Sequence, residues 1–372
     1  MRFSIYLNPQ TSDASEDVQL IQTVCRQAER AVDAGFAGVT LTEHHFSGYN
    51  TYGNPFMLAA YLAPQLRRGT KFFIAVAVPS LHNPMRLAQY VNLLDILTEG
   101  HVIVGFAAGG SPLEYAGMGR EPETKHDEMF RNLAVMEAAL DKDPEDPPLE
   151  WRTTFEHGSL KTRIMPSGFH RRHPEFARAT QSAEGVRWTA EKGWYLFTAR
   201  ETAAIMGDRM TAYLAGLRAA GFSADTIAAR REWSLVQKQV FVAESDDLAV
   251  GAMRERMKLM AEHQQNSFGL VRDLRGSADL RSVVGVSPRN PEEFLERAML
   301  VGSPEAVAKQ IDAFATAGVR HLALLFNFGF MTETESDRSL DLFLTEVLPR
   351  YRDGGAVGRH RLAASVSPTE VA

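Results

Sequence analysis

Lys71-Phe72-Phe73-Ile74-Ala75-Val76-Ala77-Val78 is an almost unbroken apolar run of strand length. An alternating pattern would mark a strand with one wet face. An unbroken run marks a strand covered on both faces, as in a parallel sheet flanked by helices. The same logic extends outward. Upstream, Val39-Thr40-Leu41-Thr42 reads as a second short strand and Phe3 to Leu7 as a first. Between them, Val18, Ile21, Val24, Cys25, Ala28 and Ala31 recur at helical spacing, and Gly35 supplies a C-cap. Asn54-Pro55 and Asn83-Pro84 each set a capping Asn before a Pro that suits the first helical turn. The second of these opens a helix carrying Leu87, Val91, Leu94 and Leu97, and Val102 to Ala107 reads as the fourth strand.

Downstream the alternation continues past a charged, proline-rich loop at residues 141–148. Trp151 to Phe155 and Leu160 to Met165 read as a hairpin inserted between units, within an insertion spanning 141–175. Further strands are expected at Glu175 to Thr180, Gly193 to Phe197, Leu235 to Val242 and His321 to Phe326, with a helix from Ser303-Pro304-Glu305 to Gly318. Eight strands separated by helices give an α/β protein, a (β/α)8 barrel formed by one domain over residues 1–372. An open doubly wound sheet is the alternative, disfavoured because no Gly-x-Gly-x-x-Gly turn follows the first strand. Gln264 to Asn290, rich in Gly, Ser, Asp and Arg, reads as a disordered loop or a lid, and residues 362–372 as a disordered tail.

Composition narrows the function. The chain has 372 residues, 45% hydrophobic and 23% charged, with net charge −6 and no long basic run. Those values suit a globular enzyme rather than a nucleic-acid binder. The single cysteine, Cys25, excludes an internal disulfide and a thiolate zinc cluster. Met1 to Leu7 reads as a strand rather than a signal peptide, and no stretch approaches the ~20 apolar residues of a membrane span. A cytoplasmic enzyme without membrane or nucleic-acid partners is the expectation.

Chemistry concentrates at strand ends, where an α/β barrel builds its site. Glu43-His44-His45-Phe46 follows the second strand directly. Two imidazoles beside a carboxylate suit proton handling near neutral pH. Successive side chains alternate in direction, so only one of His44 and His45 can face the barrel mouth. No further ligand cluster accompanies them, so no metal is expected. Gly105-Phe106-Ala107-Ala108-Gly109-Gly110-Ser111 is either a seat for a phosphate or flat ring, or a plain tight turn. Gln181-Ser182-Ala183-Glu184-Gly185 opens a helix and is either an anion site or an N-cap. Lys125-His126 either face a phosphate or are solvated. The small residues Ala75 and Ala77 leave room for a planar ligand. Phe326, Phe328 and Phe330 either wall an apolar substrate or pack in the core.

The pattern resembles the bacterial luciferase-like, flavin-dependent monooxygenases. It does so at Glu43-His44-His45-Phe46, Gly53-Asn54-Pro55, Ala59-Ala60-Tyr61-Leu62 and Val91-Asn92-Leu93-Leu94-Asp95, and again at Gly302-Ser303-Pro304 and Val347-Leu348-Pro349. The resemblance implies a TIM barrel that takes reduced FMN from a separate flavin reductase. Oxygen would add to the flavin, and the C4a-hydroperoxide would oxidise an apolar organic substrate. It makes His44 the catalytic histidine, facing the mouth, with its neighbour His45 counted as catalytic beside it. It places a non-proline cis peptide at Ile74–Ala75 under the flavin, the phosphate turn at Ser182 and Gly185, an acidic position at Glu114 and a mobile lid at Gln264 to Asn290. The implied flavin contacts are then Glu43, Ile74, Ala75, Ala107, Ala108, Lys125, His126, Gln181, Ser182 and Gly185. Two phosphate arginines of the family fall on Ala108 and His126, with Lys125, Arg120 or Arg171-Arg172 as substitutes. A homodimer through helices flanking the second and third strands is also implied. The alternatives are an F420-dependent oxidoreductase and a non-catalytic flavin-binding protein.

Overall fold

Eight parallel strands close on themselves because the two ends of the sheet meet. The computed structural model describes residues 1–11, 13–169, 173–275 and 291–352. In chain order, β1 (Arg2–Leu7) leads through α1 (Asp17–Ala34) to β2 (Gly38–Leu41), α2 (Pro55–Leu62), β3 (Lys71–Ala77), α3 (Pro84–Leu97) and β4 (Val102–Phe106). Helices α4 (Pro112–Gly117) and α5 (Lys125–Asp141) precede an antiparallel hairpin, β5 (Leu149–Arg152) and β6 (His157–Leu160). Next come β7 (Glu175–Ala179), α6 (Ala183–Glu191), β8 (Tyr195–Ala199), α7 (Ala203–Ala219), α8 (Ala224–Trp233) and β9 (Leu235–Val242). The described chain ends with α9 (Asp246–Arg275), α10 (Pro291–Ala298), β10 (Met299–Gly302), α11 (Pro304–Thr316), β11 (His321–Leu325), α12 (Glu333–Leu342) and α13 (Pro349–Arg352).

The barrel runs β1-β2-β3-β4-β7-β8-β9-β11 and returns to β1, every pairing parallel. This is the expected (β/α)8 barrel. Its interior is filled by Phe73, Ile103, Ala177, Tyr195, Phe197, Leu235 and Ala323. A larger apolar layer, including Val39, Leu41, Ile74, Val104, Leu322 and Leu324, lies between the strands and the helices. Unbroken apolar strands follow from this arrangement, since alternate residues enter two different cores. The Asn–Pro devices act as read. Asn54 Oδ1 accepts from the N–H groups of Phe56 (3.0 Å) and Met57 (3.1 Å), and Asn83 Oδ1 from those of Met85 and Arg86. Such caps contribute about 1 kcal/mol each. Among the described residues, no helix is long and apolar enough to cross a membrane.

The structure differs from expectation in four places. The hairpin lies at 149–152 and 157–160, a few residues before its expected position. A ninth strand, β10, pairs with the end of β9 (Met299↔Gln239 to Gly302↔Val242), beyond the point where β11 leaves it. Residues 264–275 are not loop but continue α9, while 276–290 lie outside the described residues, as do Arg171-Arg172 and the expected tail. The non-proline cis bond is Ala75–Val76 rather than Ile74–Ala75. It falls where β3 carries one extra residue against β4, between the pairs Ile74↔Val104 and Ala77↔Phe106. Of the two readings open for Phe326 and Phe328, the structure shows core packing: both are fully buried in apolar clusters.

Gly105 of β4 sits inside the closed barrel, where a Cβ would fall 2.6 Å from the Phe197 ring and 2.9 Å from the Ile74 carbonyl oxygen. The backbone atom cannot yield as a flexible side chain would. Gly105→Ala is expected to destabilise by about 1–3 kcal/mol through overpacking, read as a lower urea midpoint at unchanged slope.

Candidate active site

Glu43 follows the last residue of β2 by two positions and is almost fully buried. A carboxylate in that position must be hydrogen-bonded on most of its lone pairs. Val78 N–H donates to Oε2 (2.9 Å), His45 Nε2 to Oε1 (2.9 Å), and His82 Nε2 to both oxygens (2.9 and 3.0 Å). Burial alone would push the Glu43 carboxyl up. The facing His82 charge and the bonds from His45, His82 and Val78 outweigh it and hold Glu43 down to about 2. Burial likewise opposes a charge on His82, but the Glu43 carboxylate raises its pKa above the ordinary value. The carboxylate therefore joins the end of β2 to the chain leaving the β3 bulge. On the other side of the bulge, Tyr6 Oη donates to the Ala75 carbonyl (3.0 Å).

Because His45 turns to Glu43, His44 turns the opposite way. Its ring lines a cavity of about 400 Å³ at the C-terminal mouth of the barrel, together with Tyr6, Tyr49, Ala75, Gln181 and Arg200. His44 Nδ1 donates to Glu114 Oε1 (2.9 Å), leaving Nε2 as the ring nitrogen available to the cavity. Glu114 is nearly fully buried on α4, in the acidic first turn capped by Ser111. A buried carboxylate on one nitrogen fixes the tautomer and orientation of an imidazole whose other nitrogen does chemistry.

The other residues singled out from sequence fall in different places. Ala75 and Gln181 line the cavity. Ile74 packs in the outer core between the strands and the helices. Ala108 is buried in that same core, its carbonyl accepting from Tyr115 Oη (2.5 Å). Ala107 is half-buried and continues the β4 edge through a bond to the Ala77 carbonyl (3.3 Å). Ser182 caps α6, accepting from Gly185 N–H (3.1 Å), and a Cβ on Gly185 would sit 2.1 Å from Thr180 Oγ1. Lys125 and His126 occupy the first turn of α5. Arg178, which sequence reasoning missed, stacks between Phe130 (4.9 Å) and Trp188 (4.7 Å). Partial burial and then the charges of Lys125 and Arg178 lower the pKa of His126. His126 thus lies within electrostatic reach of Lys125 and Arg178, and Arg178 in turn of Glu184 in the first turn of α6, and basic groups near a helix N-terminus favour an anion. Arg120 rests on the Phe155 ring (4.1 Å) instead. Tyr6, Asn8, Tyr49, His82 and Arg200 were also missed. Only the aromatic or cationic character of single residues could have flagged Tyr6, Tyr49, His82 and Arg200, and nothing in the sequence marks Asn8.

A model of the luciferase-like monooxygenase family matches residues 1–321, and the chain belongs to that family. The alkanal monooxygenase alpha chain of the Kryptophanaron alfredi symbiont is 22% identical over 196 residues, 52% of each chain. The match thus spans about half the length of such alpha chains. The oxygenase component of the flavin-dependent trigonelline monooxygenase of Acinetobacter baylyi is 21% identical over 98% of this chain and 100% of its own. Among solved structures, the oxygenating constituent of 3,6-diketocamphane monooxygenase from Pseudomonas putida, in complex with FMN, superposes with TM-score 0.72 at 20% identity. That alignment covers 94% of this chain and 98% of that one, a likeness of fold.

The Glu43–His82 pair makes stability depend on pH with a definite sign. The depressed Glu43 pKa gives stability that is complete above its ordinary 4.5 and is lost as pH falls toward 2. The raised His82 pKa gives stability that is complete below its ordinary 6.5 and is lost as pH climbs through the folded value. Glu43→Gln is therefore expected to lower unfolding free energy most between those limits. The loss should be about 3 kcal/mol, typical of removing one partner of a buried pair, and the variant's stability should vary less with pH in urea titrations at pH 5, 7 and 8.5.

Proposed function

We propose that the protein is the oxygenase component of a two-component flavin monooxygenase, taking reduced FMN from a separate reductase. The observation that carries the reading is the paired arrangement of His44, held by buried Glu114, facing a cavity floored by the Ala75 bulge. The residues present fit the flavin. Ala75 offers a small flat surface, and the cradle at Thr180 and Gly185 tolerates no added Cβ. Lys125 and Arg178 supply the charge that Ala108 does not, and His126, whose pKa is lowered, adds a neutral ring N–H. Ala75 and Gln181 would then border the ring system, and Ser182, Gly185, His126 and the two cations Lys125 and Arg178 would hold the phosphate, in line with charge-assisted recognition at a helix N-terminus. Reduced flavin bound there would activate dioxygen and deliver one oxygen atom to the substrate.

The chain's own contribution is orientation, proton placement and water exclusion. His44 Nε2 would hydrogen-bond to the oxygen species or move a proton there, with Glu114 balancing the charge on the ring. Phe197, Leu235 and Leu325 form the apolar part of the wall that keeps water out. His45 is assigned a positioning role through Glu43 rather than a catalytic one.

Air oxidation of reduced FMN with and without the protein tests the reading. Peroxide release is expected to slow with the wild-type chain, and to be as fast as free flavin with His44→Ala, which should still bind FMN. Equally fast release with the wild type overturns the reading. Titration with FMN, riboflavin and F420 is expected to favour FMN, and Arg178→Met to weaken FMN about tenfold while leaving riboflavin unchanged, the loss of one charge-assisted phosphate contact. A separate proposal concerns assembly. Met57 and Tyr61 on α2 and Leu93 and Leu97 on α3 are exposed at i, i+4 spacing on neighbouring helices. Such a contiguous apolar face favours a homodimer across α2 and α3. Light scattering is expected to give a dimer for the wild type and a monomer for the Met57→Glu, Leu93→Glu double variant.

A further inference from the structure

Arg200 follows β8 directly and adopts a left-handed backbone, φ +57°. Its Nη2 donates to Tyr49 Oη (2.9 Å), and the Tyr49 ring meets the His44 ring edge-on at 4.9 Å. All three side chains line the one cavity. Among the described residues no carboxylate pairs with this guanidinium. Glu43 is occupied by His45 and His82, Glu114 by His44, and the neighbouring Glu201 by Arg297. The same cavity holds a second unmet demand. Asn8 is 1% exposed, and its Oδ1 has no hydrogen-bond partner.

A half-buried guanidinium with four unengaged N–H donors is a receptor for a planar anion. We propose that Arg200 anchors a carboxylate of the substrate, so that the enzyme acts on a compact organic acid whose apolar body lies against Phe197, Leu235 and Leu325 with its reacting carbon toward His44. This deepens the reading of the cavity as a flavin monooxygenase site and rests on it. The flavin phosphate is the other anion in question, and the cations assigned to it lie elsewhere. Arg178 sits against Phe130 and Trp188 in the helix layer and lines no part of the cavity, whereas Arg200 shares the cavity with His44. Tyr49, touching both Arg200 and His44, couples the anchor to the reacting end.

Isothermal titration of the full chain with benzoate, 2-naphthoate and cyclohexanecarboxylate, each against its carboxamide, tests the anchor. At least one acid is expected to bind about tenfold or more tightly than its amide, the contribution of a charge-assisted bidentate contact. The preference should disappear in Arg200→Met and fade as pH falls below about 4 and the probe is protonated. Arg200→Lys, which keeps the charge, serves if the Met variant does not fold, and should lose part of the preference. Equal binding of acids and amides, a preference surviving in Arg200→Met, or no acid binding below 10 mM (roughly −3 kcal/mol) overturns the proposal. So does a loss of the FMN-over-riboflavin preference in Arg200→Met, which assigns the residue to the phosphate. Acid selectivity in a chain that fails to bind FMN sustains the anchor and sinks only the flavin reading.

Discussion

The site depends on one buried carboxylate. Glu43 is surrounded by Val78 N–H, His45 and His82, and each of these bonds fixes a different piece of backbone. Without Glu43, Val78 N–H would lie buried without a partner, at a cost of roughly 1–3 kcal/mol. With it, the end of β2 is tied to the chain just past the β3 bulge, and the turn bearing His82 is tied to both. The direction of His44 follows from this. Neighbouring side chains on extended backbone point to opposite sides. Once His45 is committed to Glu43, His44 is left facing the mouth, where Glu114 meets its Nδ1. The carboxylate that looks catalytic by its place in Glu43-His44-His45 is thus the part that aims the imidazole.

The architecture was legible because it rests on period and punctuation. Runs such as Lys71 to Val78 report burial on both faces, and Asn54-Pro55 and Asn83-Pro84 report helix starts through local hydrogen bonds that need no tertiary context. What escaped depends on distant partners. β10 is four residues long and forms only because β9 runs past β11. The stretch 264–275, polar enough to read as loop, remains helix as the continuation of α9, whose earlier residues Met253 and Met257 pack in an apolar cluster with Phe328 and Met331. The cis bond lies one residue beyond the position drawn from the family resemblance.

The site residues divide the same way. His44 and His45 are conspicuous as a doublet, and alternation already says that they face opposite ways. Arg178 and Arg200 are single cations in strand context, and sequence does not distinguish an outward strand arginine from one at a barrel rim. Their difference is set by parity and position. On β7, Ala177 and Ala179 point inward, so Arg178 points outward to the α5 and α6 rings. Arg200 lies one residue past β8, where the backbone has left the strand conformation. Two positive centres therefore occupy opposite sides of the barrel wall, and a ligand with one phosphate and a ligand with one carboxylate need not compete for the same charge.

Holding Arg200 in place requires more than Tyr49. A non-glycine residue at positive φ costs of order 1 kcal/mol and persists where its surroundings over-determine it. Glu201 provides that determination. Its buried carboxylate accepts from Arg297 Nη2 at 2.9 Å on each oxygen and faces Arg209 at 3.8 Å, while its carbonyl accepts from Lys238 Nζ at 2.6 Å. Lys238 also donates to the Arg297 carbonyl at the end of α10 (2.5 Å). Burial drives Lys238 down to about 7 against the opposing Glu201 charge, so keeping it protonated at this position costs desolvation. Residue 201 is clamped through both side chain and backbone, and residue 200 inherits its direction. A guanidinium held this way loses little freedom when an anion arrives, and the affinity otherwise spent on ordering the side chain stays with the contact. The buried ionic cluster behind the sheet is thus part of the cost of aiming one charge at the front.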